Sequence, residues 1–151
     1  MLLKIFIVIF VLLAVGMTGM LVKLAADSRK MTVTLGIEDG LLMPCPDTPN
    51  CVSSDALLQD SHYIAPIADA DGSRWAKLVA RLSAMEGAEL VAEDTGYARF
   101  LFLTPLLGFA DDVEFHRRQA QGEIAVRSAS RVGRGDMNAN RKRVDAIRAI
   151  L

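Results

Sequence analysis

Two histidines, His62 and His116, and two cysteines, Cys45 and Cys51, are all the chain offers of the side chains that most often hold transition metals. No zinc-type spacing joins them, and no Cys-x-x-Cys marks a thioredoxin-type redox centre. A phosphate-cradling glycine loop, a dinucleotide fingerprint and internal repeats are all missing. No metal or cofactor is therefore expected. Excess positive charge is missing too, since 17 Lys and Arg stand against 18 Asp and Glu. The balance hides a division. Residues 1–30 carry four cations and one anion, residues 31–122 six and fourteen, and residues 123–151 seven and three. A basic tail answered by an acidic body lacks the unopposed basic face that a phosphate backbone requires, which argues against nucleic acid.

What is present begins with an apolar run. Ile5 to Val22 contains no charge and one hydroxyl, Thr18. As a helix its eighteen residues reach roughly 27 Å, close to the hydrocarbon thickness of a bilayer. A signal peptide is the rival reading, but its apolar stretch is shorter and the site near Leu24-Ala25-Ala26 lacks a clean small-x-small pattern. The expectation is a membrane anchor over residues 1–26, a polar linker over 27–35 and one domain over 36–151. Lys4 precedes the span, while Lys23, Arg29 and Lys30 follow it, so flanking charge gives no clear orientation. The cysteines give a better one. Cys45 and Cys51 flank a Pro-Asp-Thr-Pro-Asn loop whose prolines favour a compact excursion within disulfide range. A structural staple behind an export signal implies an oxidising compartment; two reduced, unrelated thiols are the alternative. The domain is accordingly expected on the periplasmic side of an inner membrane, or free in the periplasm if the signal is cleaved.

The domain reads as α+β. Trp75, Leu78, Val79 and Leu82 recur at helical spacing after Asp71-Gly72-Ser73, and Gly87 follows the last turn. Ala88–Glu93 and Tyr97–Thr104 read as strands about an Asp94-Thr95-Gly96 turn. Asp112–Arg117 and Glu123–Arg131 alternate likewise about Gln121-Gly122. Asp136 or Asn138 then caps a helix with Val144, Ile147 and Ile150 or Leu151 as its stripe. Short links favour hairpins, so the prediction is a mainly antiparallel sheet with two packed helices behind one transmembrane helix.

The unusual chemistry lies between Arg127 and Arg143, where seven charged side chains and two glycines crowd a strand-to-helix junction. Period-two geometry sends Arg127 and Arg131 to one face, about 13 Å apart, and Ser128 and Ser130 to the other. Asp111, Asp112 and Glu114 on the preceding strand are candidate partners across a hairpin. The Gly133-Arg134-Gly135 turn brings Arg134 to a helix start, where carboxylates and phosphates bind well. Such a block is either a buried ion-pair lattice or a receptor for an anion: a lipid headgroup, a carboxylate ligand or an acidic partner surface. A hydrolase reading would pair His116 with Asp111 or Asp112. Neither serine sits in a nucleophile elbow.

Two blocks, Cys45-Pro46-Asp47-Thr48-Pro49-Asn50-Cys51-Val52-Ser53-Ser54 and Arg127 to Arg143, together resemble domain-of-unknown-function family 1499, as does Asp111-Asp112-Val113-Glu114-Phe115. The resemblance covers residues 36–151. It implies a protein of bacteria or photosynthetic eukaryotes, often behind an export signal or membrane segment, with no settled activity. It carries over Cys45, Cys51, Asp112, Arg127, Ser128, Ser130, Arg131, Gly133, Asp136, Asn140 and Arg143 as motif positions without roles. Met137-Asn138-Ala139-Asn140 departs from the pattern, which has a glycine and a valine before the asparagine. The expectation is a non-enzymatic binding or assembly module of the cell envelope, with Arg127, Arg131, Arg134, Ser128, Ser130, Asp112 and Asn140 as ligand-site candidates. An envelope hydrolase and a pure scaffold of a membrane complex are the alternatives.

Overall fold

Alternating apolar and polar residues between positions 88 and 131 build an antiparallel sheet. The computed structural model describes all residues, 1–151. Strands β5 (Ala88–Asp94), β6 (Tyr97–Leu103), β7 (Ala110–Arg118) and β8 (Glu123–Ser130) follow one another as a meander. Two shorter strands, β3 (Cys51–Ser53) and β4 (Ile67–Ala68), each pair with β8, one after the other along its length. A separate two-residue hairpin, β1 (Ile37–Glu38) with β2 (Leu41–Leu42), completes the strands. The period-two signal is strong where strands run seven to nine residues and absent where they run two or three. That length difference explains why β1 to β4 are missing from the sequence expectation.

Helices α2 (Ser73–Ser83) and α3 (Ala139–Ala149) cover one face. Two aspartates start α2: Arg74 N–H donates to Asp69 Oδ1 at 2.7 Å, and Ser73 N–H to Asp71 Oδ1 at 3.1 Å. Its apolar stripe buries Leu78 and Leu82 completely. At α3, Asp136 accepts from the N–H groups of Asn138 and Asn140 at 3.0 and 2.8 Å, so its carboxylate serves the first turn. Asn138 occupies the cap position itself at φ 62. Asparagine suits this position, being among the few L residues that adopt the left-handed conformation routinely. Between sheet and helices, Phe100, Val113, Phe115, Ile124, Val126, Val144 and Ile147 form the core. Phe100 and Phe115 meet edge to face, with centroids 6.2 Å apart. Burial of such side chains is worth about 1.5–3 kcal/mol each before entropy is counted.

The long N-terminal helix α1 (Leu2–Lys30) is long and apolar enough to cross a membrane. It runs through residues 27–30, where the sequence reading places linker, because its last turn is docked on the sheet. Ala25 and Ser28 are fully buried, while the apolar run before them stands clear of the domain. Ala110 N–H, at the first residue of β7, donates to Ser28 Oγ at 3.1 Å, and that hydroxyl donates to Ala25 O at 2.7 Å. A disulfide joins Cys45 to Cys51 across Cα atoms 5.7 Å apart. Together the apolar helix and the disulfide are consistent with membrane anchoring and an oxidising compartment.

Candidate functional site

The two sequence blocks that carry the family resemblance meet edge to edge. Strand β3 lies antiparallel to the arginine strand, with Cys51 opposite Ala129 and Ser53 opposite Arg127. Asn50 ties the blocks further: its amide donates to Ser130 O and Gly133 O, and its own carbonyl accepts the Ser130 N–H at 3.0 Å.

On the sheet face opposite α2 and α3, β8 presents Arg127 and beyond its end Arg131, as period two requires. Each meets a carboxylate from β7. Arg127 Nη1 donates to Glu114 Oε2 at 3.1 Å, and Nη2 reaches Pro44 O at 3.5 Å. The other Glu114 oxygen accepts from Gly36 N–H and the Tyr97 hydroxyl, both at 2.8 Å. Glu114 is thus a fully buried carboxylate answered by a cation and two neutral donors. Burial and the Glu114 charge push the Tyr97 hydroxyl well above its usual ionisation range.

Arg131 is the node of the structure. Its Nε and Nη2 grip Asp112 as a two-pronged fork at 2.7 and 3.0 Å. The remaining nitrogen, Nη1, donates to the carbonyls of Ser28, Arg29 and Met31, each at 3.2 Å. A helix leaves its last carbonyls unpaired and carries a partial negative charge there. A guanidinium whose third nitrogen points at that end satisfies both demands, while Asp112 fixes its orientation. The hydrogen bond to Asp112 raises the already high pKa of Arg131 further. This cation is held permanently charged at the foot of α1.

The opposite face of β8 forms a second lattice against α3. Asn140 is completely buried. Its amide nitrogen donates to Asn50 O at 2.9 Å, Ser130 Oγ at 3.0 Å and Asp136 Oδ2 at 2.8 Å. Its oxygen accepts from Ser128 Oγ and from Arg143 Nη1, both at 2.6 Å. Arg143 also donates to Ser128 Oγ, pairs with Asp111 and lies over the Phe102 ring, 5.1 Å from its centroid. Asp111 therefore finds its cation on α3, which the hairpin reading does not anticipate. Spacing alone gives no signal for it, because the partners are 32 residues apart and meet only when α3 packs.

Of the candidates named from sequence, Asp112, Arg127, Ser128, Ser130, Arg131 and Asn140 all come together, on the two faces of one strand pair. Arg134 stands apart, exposed in the loop before α3. The acid–base pair of the hydrolase reading does not form. His116 and Asp112 share a face of β7 but sit four residues apart, roughly 13 Å along a strand. Asp111 points to the other face, and this corrects the expectation. Burial, followed by the nearby Arg118, holds the His116 imidazole below its ordinary pKa. A neutral, half-buried ring at neutral pH follows.

One concavity has no counterpart in the sequence reading. An open groove of about 440 Å³ lies under the β1–β2 hairpin and the disulfide loop, lined by Glu38, Asp39, Asp47, Asp55, Asp60 and His62 over an apolar floor of Leu41, Leu42 and Pro44. Asp55 is engaged by Arg118 at 2.7 Å and by Leu42 N–H at 2.8 Å. No group of three His, Cys, Asp or Glu side chains converges here, or elsewhere, to hold a metal. The signal was legible: from Met31 to Ser73 the chain contains no Lys or Arg. Its lining carries five carboxylates and no Lys or Arg, the reverse of what an anion receptor needs.

A family model described as "Protein of unknown function (DUF1499)" matches residues 41–151. No curated protein matches the chain, and no solved structure does.

Proposed function

This chain belongs to the DUF1499 family, and we propose that it is a non-enzymatic, membrane-anchored module of the cell envelope, held periplasmic and presented at the bilayer surface by a rigid joint. The observation that carries this reading is the Arg131 guanidinium, which bonds at once to Asp112 of the sheet and to three carbonyls at the end of α1. The arginine block is then a mount. Arg131 and Asp112 fasten the anchor, Arg127 fastens the start of the domain through Glu114 to Gly36 and directly to Pro44, and Ser128, Ser130 and Asn140 lock α3 and the disulfide loop to the same strand. An anion approaching Arg127 or Arg131 would have to displace Glu114 or Asp112, both almost wholly buried. Arg134 is the member of the block with its guanidinium free for a ligand or acidic partner.

The reading is tested by intact mass measurement of the chain extracted from its own membrane, with alkylation before and after reduction. Retention of residues 1–30 with both cysteines unreactive until reduced supports it. A product beginning near Asp27, or thiols that alkylate without reductant, removes it.

A further inference from the structure

The end of the sheet beside α1 carries two exposed apolar tips that the core does not use. Antiparallel pairing gathers the end of β6, the start of β7 and the end of β8 at one place, together with the loops 104–109 and 131–138. Leu106, in the first loop, is 91% exposed; Met137, in the second, is 92% exposed and held at φ 53. A methionine in the left-handed region with its side chain in water gains neither backbone nor burial energy. Arg134 shares the loop of Met137, Arg29 lies against Gly108 in the loop of Leu106, and Lys30 follows Arg29 in the chain; all three are exposed. Asp136, in the same loop, spends its carboxylate on α3.

The path of α1 says what faces this end. Ser28 meets the first residue of β7, and Gly36 N–H reaches Glu114, four residues further along the same strand. The chain thus leaves α1 along the direction of β7, and the last turn of α1 sits at the strand end that carries these loops. The Arg29 guanidinium lies against Gly108, where a β-carbon would stand 3.5 Å from it. Leu21 and Leu24, on the same helix face as Ala25 and Ser28, are 39% exposed, less than any large apolar residue from Ile5 to Met20. The apolar run ends at Val22, so Ser28 lies about 9 Å further along the helix axis. That distance is comparable to the depth of a headgroup layer, about 5–8 Å on each side of the hydrocarbon.

We infer that this end of the domain is a bilayer-docking surface, with Leu106 and Met137 entering the boundary between headgroups and acyl chains and Arg29, Lys30 and Arg134 meeting anionic headgroups. The inference rests on the anchoring reading of α1 and adds a second, reversible contact with the same membrane. Apolar tips ringed by cations match the amphiphilic surface of an anionic bilayer, where each basic side chain near the surface favours docking about fivefold. Tethering by α1 holds the loops at high effective concentration, so two tips suffice.

The test uses the full chain in vesicles of phosphatidylcholine, with and without phosphatidylglycerol. An environment-sensitive fluorophore is attached to one introduced cysteine at a time: Leu106→Cys, Met137→Cys, Leu58→Cys and Val15→Cys. Cys45 and Cys51 are closed to labelling by their disulfide. Blue-shifted emission is expected at 106 and 137 and water-like emission at 58, an exposed leucine in a different loop. Phosphatidylglycerol should strengthen the loop shifts, and Arg134→Gln should lower the docked-to-undocked ratio about fivefold. Water-like emission at 106 and 137 with a lipid-like signal at 15 overturns the docking surface and leaves the anchor standing. A water-like signal at 15 overturns the anchor itself. Equal shifts at 58 and 106 mean general adsorption and also overturn the proposal, while insensitivity to phosphatidylglycerol overturns its headgroup part.

Discussion

Replacing Arg127 with methionine separates a structural lattice from a binding site. The substitution keeps an unbranched apolar stem and removes the one cation that faces Glu114 at 3.1 Å. Glu114 then remains as a fully buried carboxylate with two neutral donors, Gly36 N–H and Tyr97 OH. Breaking a buried pair from one side costs about 3–5 kcal/mol, a large part of a small domain's total of about 5–15 kcal/mol. Adding Glu114→Gln removes the stranded charge yet keeps an oxygen for both donors. The unmatched amide that remains costs about 1–2 kcal/mol, so the double variant should recover about 2 kcal/mol relative to Arg127→Met. Urea unfolding of the full chain in detergent, followed by Trp75 fluorescence, reads the difference; Trp75 is the only tryptophan and packs against the core. A loss below about 1 kcal/mol in the single variant, or a double variant no more stable than the single, refutes the buried-pair reasoning. A gain in stability in Arg127→Met would instead mark a site held under charge strain for a ligand.

The remaining predictions follow the same chemistry. Cys45→Ser with Cys51→Ser opens a loop of sequence separation 6 and should cost roughly 2 kcal/mol on chain entropy alone, read as a lowered urea midpoint that reductant reproduces in the parent chain. Asn140→Ala removes a completely buried amide and leaves its partners on Asn50, Ser130, Asp136 and Ser128 short of a bond; a loss of about 3 kcal/mol is expected, and a loss under about 1 kcal/mol contradicts the lattice around α3. His116, its folded pKa depressed, binds its proton less readily folded than unfolded. Its stabilising share is therefore present above about pH 6.5 and lost as pH falls through the folded value, so unfolding midpoints should decline less between pH 7 and pH 5 in His116→Gln than in the parent chain. Asn138→Gly places glycine at φ 62 and should raise stability by up to about 1 kcal/mol; a clear loss in thermal midpoint contradicts the account of the α3 entry.

Long-range charge placement is where the sequence runs out. Strands β5 to β8, the two packed helices and the apolar α1 follow from period and spacing, because each signal lies within one element. The destinations of the guanidiniums do not. Arg127 finds Glu114 because hairpin register puts them opposite each other, and the sequence names that carboxylate among three. Arg143 finds Asp111 only through helix-on-sheet packing. Arg131 finds the end of α1, 100 residues and more away, which no local pattern encodes. Ser28 looks like a linker residue until its hydroxyl meets Ala110 N–H. The acidic groove, by contrast, was readable as an uninterrupted stretch without Lys or Arg, and its walls include three strands, β1 to β3, too short to carry a period.

The most direct test of the rigid joint is a distance measured across it. Spin labels at Lys23 on α1 and Gln121 at the far turn of the sheet, both exposed, would be measured by double electron–electron resonance on the full chain in vesicles. One narrow distance distribution is expected. It should broaden in Arg131→Lys, which leaves Asp112 a cation but loses the fork and the carbonyl contacts, while Trp75 fluorescence shows the domain still folded. A distribution already broad in the parent chain, or unchanged by Arg131→Lys, would contradict a domain mounted on its anchor through Arg131.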